Sequence, residues 1–215
     1  MSKANKSNKA IKYRLYPNDE QKVMFAKTFG CCRFVYNQLL ALQKQRYKDG
    51  ESHLSKLKSN EFATRTLKKD YDFLKEIDKF AVSNAVFHLA DAYDRFFKKQ
   101  NHFPKFKSKR KSKKSYTTNF INNNILIGKN VIKLPKVGMV KAVIHKLPKD
   151  DWKLKSVTVS QDSVGNYFAS VLFEYEQEDI PSVSKSSTNA IGLDYKSDGL
   201  YMDSNGNKAG VHKYY

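Results

Sequence analysis

The stretch KAIKYRLYPNDEQKVMF, residues 9–25, changes its hydrophobic period at Pro17. Before the proline, apolar side chains alternate with basic or polar ones, which predicts a half-buried β-strand with a basic outer face. After it, Asn18 or Asp19 can cap a helix whose first turn is acidic. The chain is therefore expected to open as a strand and to turn at once into a helical segment.

Helical spacing of apolar residues then continues for most of the next eighty residues. It predicts two helices, or one helix kinked at Gly30, over about 18–48, and a polar helix over about 54–69. The stretch DKFAVSNAVFHLADAYDRFFKKQ, residues 78–100, carries a broad apolar stripe that must pack on other helices. Residues 18–100 are thus predicted to form a helical module.

Beyond this module the hydrophobic period is that of β-strands. Two hairpins are predicted, one turning at residues 128–130 and one at 162–166, with a further strand near 139–145. Four or five antiparallel strands, joined by the N-terminal strand, favour an α+β fold in which a small antiparallel β-barrel is interrupted by the helical module. The predicted boundaries are 1–17 for the first barrel strand, 18–100 for the helical lobe, 101–178 for a basic connector and the remaining barrel strands, 179–189 for a polar linker and 190–215 for a final segment.

The composition makes nucleic acid the leading partner. Lys and Arg total 40 against 21 Asp and Glu, which gives the 215-residue chain a formal net charge of +19. Dense positive charge favours binding to a phosphate backbone, because counterions are released. A ribosome-associated protein or a binder of anionic membranes is the alternative. The sequence has no apolar run of membrane-spanning length and no signal peptide, so we expect a cytosolic protein without a membrane partner.

The most basic stretch is KKQNHFPKFKSKRKSKK, residues 98–114, with nine Lys or Arg and no acid. Such a run is often a solvated, disordered tail. Here Phe103 and Phe106 interrupt the charges, and a predicted helix and sheet flank the segment. A fixed connector is the other interpretation, in which aromatic rings stack on bases while Lys and Arg neutralise phosphates.

A polar stretch follows in YTTNFINNNILI, residues 116–127, which includes Asn122, Asn123 and Asn124. Asn tolerates a left-handed backbone and bonds to its own chain, so a capped turn is one interpretation. On a basic protein, Asn amides can equally read base edges or phosphates. The residue pattern leaves both open.

Catalytic groups are sparse in the chain. Asp194 follows an apolar strand near the C-terminus, but one carboxylate cannot hold the pair of divalent ions that drives phosphodiester hydrolysis. Asp198 and Asp203 occur in turn contexts and are expected to be structural. The adjacent Cys31 and Cys32 fit neither a metal site nor a disulfide, which predicts buried thiols. The histidines show no ligand spacing, and no phosphate-binding loop is present.

Six segments, taken together and in this order, resemble the TnpB or OrfB proteins of bacterial insertion sequences. They are YRLYPNDEQ, GCCRFVYNQLL, DKFAVSNAVFHLADAYDRFF, FPKFKSKRKSKKSYTTNFINNNI, IKLPKVG and IGLDYKSDG. The resemblance covers the chain from about Lys9 to Gly206. It implies a transposase-type, RNA-guided DNA endonuclease with a wedge-like β-barrel, an inserted helical recognition lobe and a RuvC nuclease of RNase H-like fold. It also raises a helix-turn-helix description of the N-terminal helices, with Gly30 at the turn, which we regard as the weaker one.

The resemblance also implies roles for residues. Asp194 matches the first of three RuvC carboxylates and would be a ligand of Mg²⁺. Lys79 and the stretch Asn122 to Asn124 match regions that contact the short duplex flanking the DNA target, and Ser83 would face the same groove. The basic run would lie along an omega-type guide RNA or the guide–target heteroduplex. Its residues are Lys105, Lys107, Lys109, Arg110, Lys111, Lys113 and Lys114.

The chain departs from the family pattern in its last part. The family's second and third acids and its four-cysteine zinc ribbon have no counterpart here, and Lys196 stands where a glycine is common. Residues 190–215 are therefore expected to be the first strands of a truncated RuvC domain, left by a frameshift, a decayed transposon copy or a partial gene record. We expect no zinc site, and no cleavage by this chain alone.

These departures leave three functional hypotheses. The first is the nucleic-acid-binding N-terminal part of a bacterial, cytoplasmic RNA-guided endonuclease that binds guide RNA and target DNA, with a possible separate C-terminal half. The second is a non-cleaving module that acts as a repressor or decoy. The third is a basic RNA-binding protein unrelated to transposons.

Overall fold

The computed structural model describes residues 5–177, 191–195 and 199–210. The chain divides after Gln177 into a larger and a smaller compact unit. The predicted linker, residues 179–189, lies outside the described residues. Each unit contains antiparallel strands, and the larger one also holds all the helices that the structure describes, so the fold is α+β as predicted.

Seven antiparallel strands build the sheet of the larger unit in the order β2-β6-β7-β1-β5-β4-β3. They are β1 (Asn5–Tyr16), β2 (Lys114–Asn119), β3 (Leu126–Ile127), β4 (Val131–Leu134), β5 (Gly138–Val143), β6 (Lys153–Gln161) and β7 (Tyr167–Gln177). The N-terminal strand β1 lies inside this sheet, paired with β7 along most of its length and with β5 at its end. The prediction that the first strand joins strands from beyond the helical module is confirmed.

The helical module lies between β1 and β2 in the chain. It consists of α1 (Asp19–Lys48), α2 (Lys56–Glu61), a π-helical segment (Phe62–Leu67), α3 (Lys68–Asp70), α4 (Phe73–Glu76) and α5 (Lys79–Phe97). Asn18 caps α1 as predicted: its side chain accepts a hydrogen bond from the backbone of Gln21, and the Gln21 side chain accepts one from the backbone of Asn18. Gly30 neither breaks nor ends α1, which is continuous for 30 residues.

The sheet does not close into the predicted barrel within the part of the chain that the structure describes. Its outer strands are β2 and β3, and β3 is only two residues long. The free edge of β2 meets α5 instead of another strand, because the side chain of Asn84 donates a hydrogen bond to the carbonyl of Thr117 at 3.0 Å. A helix therefore covers the edge that barrel closure would have paired.

Helices and sheet share one hydrophobic core. Phe25 of α1 is fully buried, with its ring centroid 5.4 Å from that of Tyr167 on β7 and 6.3 Å from that of Tyr116 on β2. Burying a side chain of this size contributes about 1.5–3 kcal/mol. The helical module therefore holds its position by packing on the sheet.

The smaller unit has a three-stranded antiparallel sheet, ordered β10-β9-β8. Its strands are β8 (Leu193–Tyr195), β9 (Tyr201–Asp203) and β10 (Lys208–Ala209). Asp203 ends β9 in a turn, where its carboxylate accepts hydrogen bonds from the backbone of Asn205 and Asn207. Among the helices of the described ranges, none has the length and apolar character needed to cross a membrane.

Candidate nucleic-acid interface

Three segments that are distant in sequence meet around an open groove of about 540 Å³. They are the start of α5 with Lys79, the turn between β2 and β3 with Asn122, and the turn between β4 and β5 with Lys136. Four lysines and one aspartate line this groove, which we call the basic groove. Its surplus of positive charge suits a phosphate ligand.

A buried hydrogen bond positions the start of α5. The hydroxyl of Thr118 on β2 donates to the carboxylate of Asp78 at 2.5 Å, and both residues are buried. Asp78 immediately precedes the helix, so the next residue, Lys79, is exposed at the groove. The partial positive charge at the N-terminus of α5 and the Lys79 ammonium therefore both lie at the basic groove.

In the turn between β2 and β3, the Asn124 side chain is hydrogen-bonded to the backbone, whereas Asn122 and Asn123 are exposed. The side-chain oxygen of Asn124 accepts a hydrogen bond from the backbone of Ile121 at 2.8 Å, and its side-chain nitrogen donates to the carbonyl of Asn119 at 3.0 Å. Asn122 and Asn123 have positive φ angles of 46° and 56°, and both are exposed. The capped-turn interpretation therefore holds for Asn124, whereas Asn122 lies at the basic groove with its side chain on the surface.

Lys136 is a groove residue that sequence reasoning missed. It lies in the turn between β4 and β5 with a φ angle of 65°. The sequence LPKVG contained the signal, because Pro135 and, three residues later, Gly138 are residue types typical of turns. Nothing in the sequence indicated that this turn would lie beside Lys79.

The electrostatics of the basic groove favour an anion. Burial lowers the pKa of Lys68, the nearby Asp78 acts in the opposite direction, and Lys79 lowers the pKa by a smaller effect. A phosphate in the groove would offset both the lost hydration and the repulsion between the lysines. Lys68 is therefore a suitable partner for a bound anion.

Ser83 is the one predicted duplex-contacting residue on α5 that does not line the basic groove. It is half-buried and lies four residues after Lys79, about 6 Å further along the helix axis. The neighbouring Asn84 faces β2 and bonds to it. The structure therefore brings Lys79 together with Asn122 and Asn124, but not with Ser83.

The basic segment, residues 98–114, is anchored to α1 by hydrogen bonds at Lys107. The side chain of Asn37 donates to the carbonyl of Lys107 at 2.9 Å and accepts from the backbone of Lys107 at 2.8 Å. The Lys107 ammonium lies 4.0 Å from the ring centroid of Tyr36, and burial lowers the pKa of that lysine. At this point the segment is a docked connector rather than a free tail.

The other predicted lysines and the arginine of this segment are exposed. They are Lys105, Lys109, Arg110, Lys111, Lys113 and Lys114. The Lys114 ammonium donates a hydrogen bond to the side chain of Gln161 at 3.0 Å. Lys107 is thus the member of the predicted set that is turned toward the protein, and its anchor Asn37 gave no signal in the sequence.

Asp194 lies on β8 and is exposed, opposite Met202 of β9. The carboxylate of the nearby Asp203 is occupied by its turn, since it also accepts a hydrogen bond from the Asn207 side chain at 2.8 Å. Across residues 5–177, 191–195 and 199–210, no three His, Cys, Asp or Glu side chains group as metal ligands. Within those ranges Asp194 therefore belongs to no such group. Asp198 and Lys196 lie outside the described residues.

Both cysteines are buried, free thiols, as predicted. Burial raises the pKa of Cys31 to about 11 and that of Cys32 to about 12. The Cys32 thiol donates to the backbone carbonyl of Ala81 at 3.4 Å, which ties α1 to α5. These thiols serve packing.

Comparison with known proteins finds one matching family model. The family model for a helix-turn-helix domain of OrfB and IS605 type matches residues 7–52. In the structure this range holds most of β1 and all of α1, and α1 shows no turn at Gly30. The matched region is therefore a strand followed by one long helix.

Three relatives match the chain. A "Putative RNA-guided DNA endonuclease" of Streptomyces pristinaespiralis is 30% identical over 93% of this chain and 49% of its own length. The "Putative RNA-guided DNA endonuclease InsQ" of Escherichia coli strain K12 is 29% identical over 86% of this chain and 44% of its own length. The "Virulence protein VsdF" of Salmonella dublin is 32% identical over 47% of this chain and 93% of its own length. The chain spans about half the length of the first two relatives.

Proposed function

Because this chain belongs to the TnpB/OrfB family, we propose that it is the nucleic-acid-binding, N-terminal part of a transposon-type, RNA-guided DNA endonuclease. In this proposal the basic groove contacts the duplex that flanks the DNA target. The observation that carries the proposal is the meeting of Lys79, Asn122 and Lys136 around one groove.

The groove supplies the two kinds of contact that duplex recognition needs. Lys79, Lys136 and the N-terminus of α5 offer positive charge to the phosphates, which positions the duplex without reading its sequence. The exposed amide of Asn122 can both donate to and accept from a base edge, so it can read sequence. Lys79 and Asn122 thus have complementary roles on one ligand.

We assign the guide RNA to the exposed lysines and the arginine of the basic segment. These side chains present charge without a rigid donor pattern, which suits recognition of an RNA or a heteroduplex by shape and backbone. The anchor between Asn37 and Lys107 supports this assignment, because a docked segment offers its charges in a fixed direction. The open seven-stranded sheet would take the role of the family's wedge-like domain.

For the smaller unit we propose a partial RuvC-like nuclease fold in which Asp194 is the first carboxylate. The metal chemistry would require further carboxylates, so we expect this chain alone to bind without cutting. A second candidate function is a non-cleaving module that represses or competes at target sites, and it is favoured because no group of potential metal ligands includes Asp194 among the described residues. A Mg²⁺-dependent cleavage assay with guide RNA and target DNA tests this point, and a cut by the isolated chain would overturn it.

The groove proposal is tested by the salt dependence of duplex binding. Lys79→Ala and Lys136→Ala together should flatten the dependence of log affinity on log salt by about 2, since each phosphate contact contributes a slope of about 0.9. The matched control changes two exposed lysines outside the groove, Lys58→Ala and Lys129→Ala. Equal effects in both double variants would contradict the assignment of the groove.

A further inference from the structure

A second groove, of about 670 Å³, lies where the last turns of α1 and α5 meet the start of the basic segment. Lys79 and Phe97 are the first and last residues of α5, so the two grooves are separated by about 27 Å of helix. This volume lies within the range of about 300–1,000 Å³ that is typical of ligand sites. We call it the aromatic groove.

Aromatic rings with open faces line the aromatic groove. Tyr47 is 84% exposed, Phe97 is 65% exposed and Phe103 is 40% exposed. Large apolar side chains that cluster on a surface mark an interaction site more often than isolated ones do. Three such rings around one groove therefore indicate a ligand with an apolar face.

Neighbouring rings hold Phe97 and Phe103 in place. Tyr93 is buried beneath them, with its ring centroid 5.6 Å from that of Phe103 at an interplanar angle of 87° and 6.2 Å from that of Phe97. Phe96 also meets Phe103 edge to face, at 5.2 Å and 84°. Edge-to-face packing fixes the ring planes, so little conformational entropy remains to be lost on binding.

The rim of the groove is basic. The Lys44 ammonium lies 5.5 Å from the ring centroid of Phe103, and Lys48 is exposed beside it. Glu51 also lines the groove, but its carboxylate pairs with Arg46. The groove thus combines an apolar floor with an unneutralised positive rim.

This combination best matches one class of ligand. An acidic lipid also joins an anionic group to an apolar one, but an unpaired nucleotide offers a flat base that stacks on an aromatic face and a phosphate within one residue. Paired bases in a duplex present no free ring face to a protein, so the strand must be single. The chain's net charge of +19 and the basic segment that starts at the groove favour the same class.

We propose that the aromatic groove is a base-stacking site for unpaired nucleotides of a single-stranded nucleic acid. Phe97 and Tyr47 stack on the bases, and Lys44 and Lys48 bind the adjacent phosphates. The inference rests on the proposed function, because it names a subsite within a protein that binds nucleic acid. It extends that function to a surface distinct from the basic groove.

The test compares two oligonucleotides of the same length and charge, one of thymidines and one abasic, for binding to the whole chain. Wild type should bind the thymidine strand more tightly. Phe97→Ala should weaken binding of the thymidine strand about 10-fold and leave binding of the abasic strand unchanged. Phe97→Tyr is the matched control, since it keeps a ring and should keep the affinity. Thermal unfolding of both variants establishes that the fold is intact.

The outcomes separate the inference from the proposed function. If wild type binds the thymidine and abasic strands equally, the stacking site is wrong while nucleic-acid binding stands. If wild type binds neither strand nor duplex DNA, the proposed function itself fails. If Phe97→Ala leaves the thymidine affinity unchanged but shifts the concentration dependence of sedimentation, the groove is a contact between protein copies and the inference is overturned.

Discussion

Thr118→Val probes the buried contact that positions the basic groove. Thr118 is 0% exposed, Asp78 is 7% exposed, and the hydroxyl donates to the carboxylate at 2.5 Å. Valine keeps the branched shape of threonine but cannot donate, so the carboxylate loses this partner while it stays buried. Hydrogen bonds to charged groups contribute about 1.5–3 kcal/mol. We expect the free energy of unfolding to fall by that amount.

The expected loss is large enough for standard assays. Urea unfolding followed by far-ultraviolet circular dichroism should show a lower midpoint with an unchanged slope. For a domain of this size the unfolding temperature falls by about 2–4 °C per kcal/mol, so Thr118→Val should lower it by about 3–12 °C. Duplex affinity should fall as well, because Asp78 fixes the backbone that carries Lys79.

Thr117→Val is the matched control. The Thr117 hydroxyl lies on the opposite face of β2, 2.9 Å from the hydroxyl of Thr158, and both residues are half-buried. This neutral bond should contribute only about 0.5–1.5 kcal/mol. If Thr118→Val costs no more than Thr117→Val, or if a double-mutant cycle with Asp78→Asn shows no coupling, the role we give to this contact is wrong.

Three further predictions follow from other parts of the structure. The raised pKa values of Cys31 and Cys32 mean that little thiolate forms at pH 8. A thiol-specific chromophoric reagent should therefore label the native chain far more slowly than the unfolded chain. Rapid labelling of the native chain would refute the burial of these thiols. Asn37→Ala removes both hydrogen bonds to Lys107 and should lower the free energy of unfolding by about 1–2 kcal/mol. It should also make trypsin cleave the basic segment faster. An unchanged digestion rate would refute the anchor. Lys99 follows α5 with a φ angle of 58°, in the left-handed region that favours glycine. In urea titrations, Lys99→Gly should therefore raise the free energy of unfolding by about 1 kcal/mol. A lower free energy of unfolding would argue against that backbone conformation.

Local sequence patterns predicted where several elements begin and turn, because contacts between residues close in sequence determine these points. The alternation before Pro17 produced β1, and the cap at Asn18 began α1. The hairpin between β6 and β7 turns where predicted, since the Asp162 carboxylate accepts hydrogen bonds from the backbone of Val164 and Asn166. For the cap and the hairpin turn, the deciding contacts lie within four residues of one another in the chain.

Gly30 shows where a local rule fails. A glycine inside a helix costs about 1 kcal/mol relative to alanine. Phe25, Phe29 and Val35 lie on either side of it and are all buried in the core. Their burial contributes several times that amount, so packing keeps α1 continuous.

The candidate interface was predictable only in part. Lys79 and the asparagine turn were assigned through the family resemblance, whereas Lys136 and Asn37 depend on contacts between distant segments. The barrel prediction was not confirmed for a similar reason. Strand pattern alone does not reveal that Asn84 of α5 will cover the edge of β2. Contacts of this kind, between segments distant in sequence, produce no periodic residue pattern from which they could be predicted.

The central claim is that the basic groove is where duplex DNA meets this chain, and lysine footprinting tests it most directly. The chain is acylated with and without saturating duplex, and the modified lysines are quantified by mass spectrometry. We predict strong protection of Lys79 and Lys136 in the complex and unchanged labelling of Lys58 and Lys129. Equal labelling of Lys79 and Lys136 in the free and bound chain would contradict the account.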